Sequence, residues 1–205
     1  MMDFWNYLEK LSTSEKFPEE KVQLGLRKST YMPNFRAHTS LSSIMDLSKE
    51  IKQGEAFLEK ESKSLRYVFA YNLTYDLLLS LYEVSTFKGI FARIAMPLSK
   101  AESNHLQKIL DKINEKNVEV RLIGLQNKQS NYKELLQPIF KMARRKGELI
   151  EADLFGNEAR HIAIDLKTGL SYDVLVENRI YRPGELINTQ SFDDFSKSAL
   201  RLKLK

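Results

Sequence analysis

Between Glu148 and Arg182 acidic groups, a histidine and a lysine gather on what read as adjacent strands, with Asp165 and Lys167 two residues apart. Side chains alternate along a strand with period two, so Asp165 and Lys167 share one side of it. Asp153 closes another candidate strand just upstream. Two carboxylates on neighbouring strands can hold a hard divalent cation, Mg²⁺ or Mn²⁺. A lysine beside them can position or polarise an attacking water while the metal stabilises charge on a phosphate. Glu151 is an alternative second ligand, and Glu134 or Glu148 a third. The same residues also suit a solvated hairpin, with Ile162 and Ile164 turned to the core and Asp165 and Lys167 flanking an exposed turn.

The order Asp153 … Asp165-x-Lys167 resembles the D-…-D/E-x-K core of the restriction-endonuclease-like nucleases. The resemblance is confined to residues 153–167, and Ala152 stands where that family often has proline. It implies a metal-dependent nuclease with Asp153, Asp165 and Lys167 as catalytic residues and Asp153 and Asp165 as metal ligands.

Histidine chemistry has few sites to choose from: His38, His105 and His161. None follows another at the i, i+4 spacing of a helical metal pair. His161 is followed by Ile162 and Ala163, so the H-x-K-x-x-x-x-D pattern of phospholipase-D-like enzymes is missing. No Walker or dinucleotide glycine motif occurs, and no G-x-S-x-G elbow.

Basic groups raise a second kind of function. Arg144, Arg145 and Lys146 close a helix, and Arg160 and His161 open a strand; these five are the candidate contacts to nucleic acid. Lys197, Arg201, Lys203 and Lys205 add a basic tail. Phosphate contacts of this kind weaken steeply with salt. Phe155, Tyr172 and Tyr181 are aromatics that could stack on bases. The helix-closing cations also have a structural use, because they face the negative end of the helix dipole.

The elements that must position these residues are read from periodicity. Phe4, Trp5, Leu8 and Leu11 predict an amphipathic helix over the first twelve residues. Pro18, Glu19 and Glu20 mark a further helix start. Residues 29–39, with Pro33, read as a linker, and Ile44, Leu47, Ile51, Phe57 and Leu58 predict a helix over 42–61. Strand and helix then alternate. Residues 66–71, 90–96 and 118–125 read as strands; 74–84 and 132–146 read as helices. Ser99 and Glu102 form a capping box that starts another helix. Strands are expected at 149–154, 160–167, 171–177 and near 179–181, with a tight Lys167-Thr-Gly-Leu170 turn making a hairpin. A last helix is expected from Ser191.

This pattern predicts an α/β fold: a mixed, partly parallel sheet flanked by helices, extended by a C-terminal antiparallel hairpin. The expected division is an N-terminal helical arm, residues 1–62, packing on an α/β domain, residues 63–205. The chain has 205 residues, 42% of them hydrophobic, enough to bury a core. Cysteine is absent, which excludes disulfides, zinc-thiolate sites and cysteine nucleophiles. With no apolar run near the length of a membrane span and no basic start to the first helix, a cytoplasmic protein without membrane attachment is expected. The net charge of +5 is mild. It points to a protein that works by binding, with nucleic acid as the ligand class. The alternatives are the nuclease and an assembly module that engages a second copy or a protein partner through residues 1–30.

Overall fold

The computed structural model describes residues 4–13, 22–25, 36–113, 117–126 and 132–176. The expected helix start at Pro18, the strand near 179–181, the helix from Ser191 and the basic tail lie outside the described residues. In chain order the elements are α1 (Phe4–Thr13), β1 (Val22–Gly25), β2 (Ala37–Ser40), α2 (Leu41–Ile44), a 3-10 turn (Met45–Leu47), β3 (Ser48–Glu50), β4 (Ala56–Lys60), β5 (Tyr67–Leu73), β6 (Leu77–Glu83), β7 (Lys88–Ile94), α3 (Lys100–Leu110), β8 (Val118–Gly124), α4 (Tyr132–Arg144), β9 (Glu148–Leu154), β10 (Arg160–Asp165) and β11 (Ser171–Leu175). All belong to the unit Met1–Leu175; Val176–Lys205 form a second unit.

The fold is α/β, built on two mixed sheets. The first has the order β1-β9-β8-β6-β7-β4 and the second β2-β11-β10-β5-β3. In the first sheet β8 and β9 are parallel and are joined through α4. β7 and β8 both run antiparallel to β6, so α3 carries the chain from one side of β6 to the other. The β10–β11 hairpin forms as expected but belongs to the second sheet.

Alternation along the strands assigns the layers. On β6, Leu77, Leu79 and Leu81 join Trp5 and Leu8 of α1, Leu106 and Leu110 of α3, and Leu136 and Ile139 of α4 in one core. On the opposite face Leu78, Phe91 and Ile123 pack against Val68, Ala70, Ile162 and Ile164 of the second sheet. Helices therefore cover one face of the first sheet, and the second sheet covers the other. The expectation that helices cover both faces is corrected by that second sheet.

Two expected helices are strands. All seven residues of β6 are buried. A central strand covered on both faces shows no polar alternation, so its apolar run is indistinguishable from a buried helix by period alone. The expected helix over 42–61 is broken into α2, the 3-10 turn, β3, a turn at Gly54 and β4. Gly54 holds φ at +79°, which a helix interior does not allow. The expected linker likewise ends in strand β2, which pairs parallel with β11. Because β2 and β3 are opposite edges of the second sheet, the seven residues 41–47 cross its outer face. Leu41 and Ile44 are buried there, as are Phe69, Ala163 and Val174 of the sheet.

The capping box at α3 forms: Glu102 N–H donates to Ser99 Oγ at 3.2 Å, and Ser99 N–H donates to Glu102 Oε2 at 2.9 Å. α1 packs on its own domain. Trp5 Nε1–H donates to the Gly147 carbonyl at 3.1 Å, and its ring meets Phe140 edge to face. Among the described residues no helix is long and apolar enough to cross a membrane.

Candidate functional site

The residues singled out from sequence fall into separate places. Glu151 and Asp153 project from β9 into the space between the sheets, where both are buried. Arg36, just before β2, reaches across to them: Nε pairs with Glu151, and Nη1 lies 2.9 Å from Asp153 Oδ2 and 3.0 Å from Asp173 Oδ1 of β11. Arg160 of β10 lies 3.0 Å from the other oxygen of Asp153 and donates to the Phe155 carbonyl. Arg121 of β8 approaches Glu151 at 3.4 Å, and Ser171 Oγ–H donates to Glu151 at 2.6 Å. Burial disfavours the Arg36 charge, but the carboxylates of Glu151, Asp153 and Asp173 outweigh it and raise the guanidinium pKa above its ordinary value. One side of the inter-sheet space is thus ionic, and the other is the apolar layer of Phe91 and Ile162.

Asp165 is on the second sheet. It accepts Arg66 Nη2–H at 3.0 Å, Arg66 Nε–H at 3.3 Å and the backbone N–H of Lys167 at 2.9 Å. Lys167 is exposed in the turn. Asp153 and Asp165 therefore sit on different sheets, and each faces an arginine that offsets the charge a cation would neutralise. Among the described residues no group of three His, Asp or Glu side chains could hold a metal ion. The side chain of Glu134 is not described.

The helix-closing cations are mostly engaged. Arg144 pairs with Glu9 and donates to Asn6 Oδ1 at 3.0 Å, tying α4 to α1. Lys146 pairs with Asp111 at 2.8 Å and holds that carboxyl below its usual range. Arg145 is exposed. Arg160 points into the ionic cluster, so of the pair Arg160–His161 only His161 faces outward.

His161 is where local irregularity builds a surface. The register between β5 and β10 shifts at Arg160/Ile162, so Tyr71 and Asn72 together oppose His161. This is a β-bulge, which breaks the ladder and re-aims the flanking side chains. Asn72 takes φ +54°, the left-handed region asparagine tolerates better than other side chains. Its N–H donates to His161 Nδ1 at 3.0 Å. The imidazole stacks on the Tyr71 ring, centroids 4.3 Å apart and planes 21° apart. Tyr71 and His161 are half-buried, while Asn72 and Tyr75 are exposed beside them. Asp76 anchors the turn, accepting Arg93 Nε–H at 2.8 Å and Gln53 Nε2–H at 2.6 Å, while Arg93 Nη2–H reaches the Asn72 carbonyl at 3.3 Å. Along the same outer face Tyr67 lies under Arg66, 5.2 Å from guanidinium carbon to ring centroid, and Tyr172 is half-buried.

Burial lowers the pKa of His161 below its ordinary 6.5. With Nδ1 accepting from Asn72, the neutral ring carries its proton on Nε2. The fold binds fewer protons here than the unfolded chain does, so the contribution of His161 to stability is complete above pH 6.5 and declines as pH falls below it. The expected result is that His161→Gln flattens the slope of unfolding free energy against pH below about 6.5. Urea melts across that range, with an unchanged slope in the variant, would dismiss the role.

Sequence reasoning reached His161 but missed Tyr71, Asn72 and Arg36. Asparagine tolerates the left-handed region, which is the one faint signal Asn72 gave. Arg36 carried no signal at all. No protein-family model matches the chain, and no curated protein matches it either.

Proposed function

We propose that this protein binds single-stranded nucleic acid, with bases stacking on the Tyr71–His161 pair. One observation carries the reading: a half-exposed aromatic stack held on a rigid bulge at the outer face of a sheet. Bases offer a π-face whatever their sequence, and an aromatic platform is how proteins bind them without reading order. The neutral imidazole adds an Nε2–H donor for a base or phosphate oxygen. Arg93 is the cation bonded to this turn, and Lys52, next to Gln53 in the chain, is exposed. Double-stranded nucleic acid fits less well, because Arg144 and Lys146, which would make a basic stripe with Arg145, are used in ion pairs.

The test is fluorescence anisotropy with labelled single-stranded DNA, single-stranded RNA and duplex. Single strands should bind more tightly than duplex, with a shallow salt slope, since few phosphates are neutralised. Tyr71→Ala should weaken binding by about 1–3 kcal/mol, roughly five- to 150-fold, and Tyr71→Phe should largely retain it. Binding to duplex alone, or binding indifferent to Tyr71→Ala and His161→Ala, would reject the proposal.

A further inference from the structure

Beside the first two turns of α3 the first sheet carries short side chains. Ala56 of β4 and Ala92 of β7 are direct cross-strand partners. Ala101 of α3 also lines this space. Each side chain ends at Cβ, and together with Leu98 and Leu106 they border a half-open cavity of about 290 Å³. That volume suits a small molecule.

The rim has the opposite character. Glu55, from the turn before β4, and Glu102 and His105, one helical turn apart on α3, border the opening. Glu55 accepts the Lys52 N–H through Oε2 at 2.9 Å, and Glu102 accepts the Ser99 N–H through Oε2 at 2.9 Å. Those bonds fix both carboxylates at the mouth, and the hydrogen bonds from Ser99 keep Glu102 ionised by lowering its pKa. Arg93, which also borders the cavity, has its charge offset by Asp76 at 2.7 Å. An apolar floor under an anionic mouth complements a ligand with an apolar body and a cationic head.

We propose that this cavity binds a small organic ammonium: a primary amine on a compact aryl or alkyl group, the apolar part under α3 and the ammonium between Glu55 and Glu102. The lining does not include Tyr71 or His161, and the test is read without nucleic acid, so it stands apart from nucleic-acid binding.

The probe is 2-phenylethylamine, titrated into the ¹⁵N-labelled full chain and followed by amide shifts, with 2-phenylethanol and 3-phenylpropionate as uncharged and anionic counterparts. Saturable shifts are expected at the start of α3 and along β4 and β7. The amine should bind about fivefold more tightly than the alcohol, and the carboxylate more weakly than either. Glu102→Gln is the informative variant, because glutamine still completes the capping box while its charge is gone. It should erase most of the preference for amine over alcohol. Ala101→Leu, placed at an exposed helix position, should fill the cavity and abolish the shifts for every probe. Equal affinity for amine and alcohol, shifts that survive Ala101→Leu, or no saturable shift at these elements would each overturn the assignment.

Discussion

Arg36→Ala is expected to destabilise the fold by about 3–5 kcal/mol at neutral pH, because it strands buried carboxylates without their shared cation. Arg36 contacts Glu151 and Asp153 of the first sheet and Asp173 of the second. Its side chain is 4% exposed, and those of Glu151 and Asp153 are 8% and 3% exposed, so bulk water does little to screen them. Most of the expected loss is the cost of charge left behind. The intact pair itself contributes much less, since burying both partners is expensive. Arg36→Lys should recover only part of the loss, because an ammonium cannot present the fork that meets three carboxylates at once. The pH dependence identifies the cause. Acid removes uncompensated carboxylate charge, so the gap between wild type and Arg36→Ala should narrow as pH is lowered. Urea melts at neutral and acid pH check both points. A loss below about 1 kcal/mol, or a gap that does not change with pH, would show that the cluster is not what Arg36 supports.

Phe91→Ala is the apolar counterpart, with an expected cost of about 3–5 kcal/mol that does not depend on pH. Phe91 is fully buried between the sheets, with Phe57 beside it at 6.2 Å. Its ring lies over Gly89, two residues back on the same strand face; a Cβ there would come within 2.2 Å of the ring. The ring thus fills a space that the strand leaves for it, and alanine would leave a cavity that neither rigid sheet can close. Phe91→Leu should restore more than half of the loss. If Phe91→Ala cost less than about 2 kcal/mol, the apolar side of the sandwich would be loosely packed. If its cost varied with pH as that of Arg36→Ala should, the two sides would not be independent.

The division of the inter-sheet space into ionic and apolar parts has a specific effect. Apolar contact alone would tolerate one sheet sliding on the other. Arg36, Arg121 and Arg160 meet fixed carboxylates, and Tyr82 Oη–H, whose pKa burial and then Asp165 push up to about 12, donates to the Leu166 carbonyl at 2.9 Å. Such bonds set register more than they add stability. The buried Arg121 Nη1 and Ser80 Oγ have no hydrogen-bond partner among the described residues, which is a cost the packing must offset.

Much of the local structure was legible in the chain. The Ser99–Glu102 box, the apolar stripes of α1 and α4, the strands β7 through β9 and the β10–β11 hairpin all follow from spacing and turn chemistry, because these are set by neighbours a few residues apart. The α/β class followed from their alternation. What spacing could not decide was which faces are covered. β6 reads as a helix because it is apolar on both sides, and it is apolar on both sides because a second sheet lies against it. The segment 42–61 looked helical because Ile44, Leu47 and Ile51 share a helical period, yet they serve a crossing turn and an edge strand.

The candidate site divides in the same way. His161 was in view from composition alone, as one of three histidines. That it stacks on Tyr71 and accepts from Asn72, 89 residues away, required the pairing of β5 with β10 and the bulge within it. Asp153, Asp165 and Lys167 were gathered by sequence proximity into one metal site. The fold places the two carboxylates on different sheets and gives each an arginine, Arg160 for one and Arg66 for the other. Side-chain type and local period are carried by the chain itself, so elements and candidate groups can be read from it. Which groups meet, and whether a carboxylate faces a cation or a guanidinium, is decided by long-range strand pairing, and only the tertiary structure contains that.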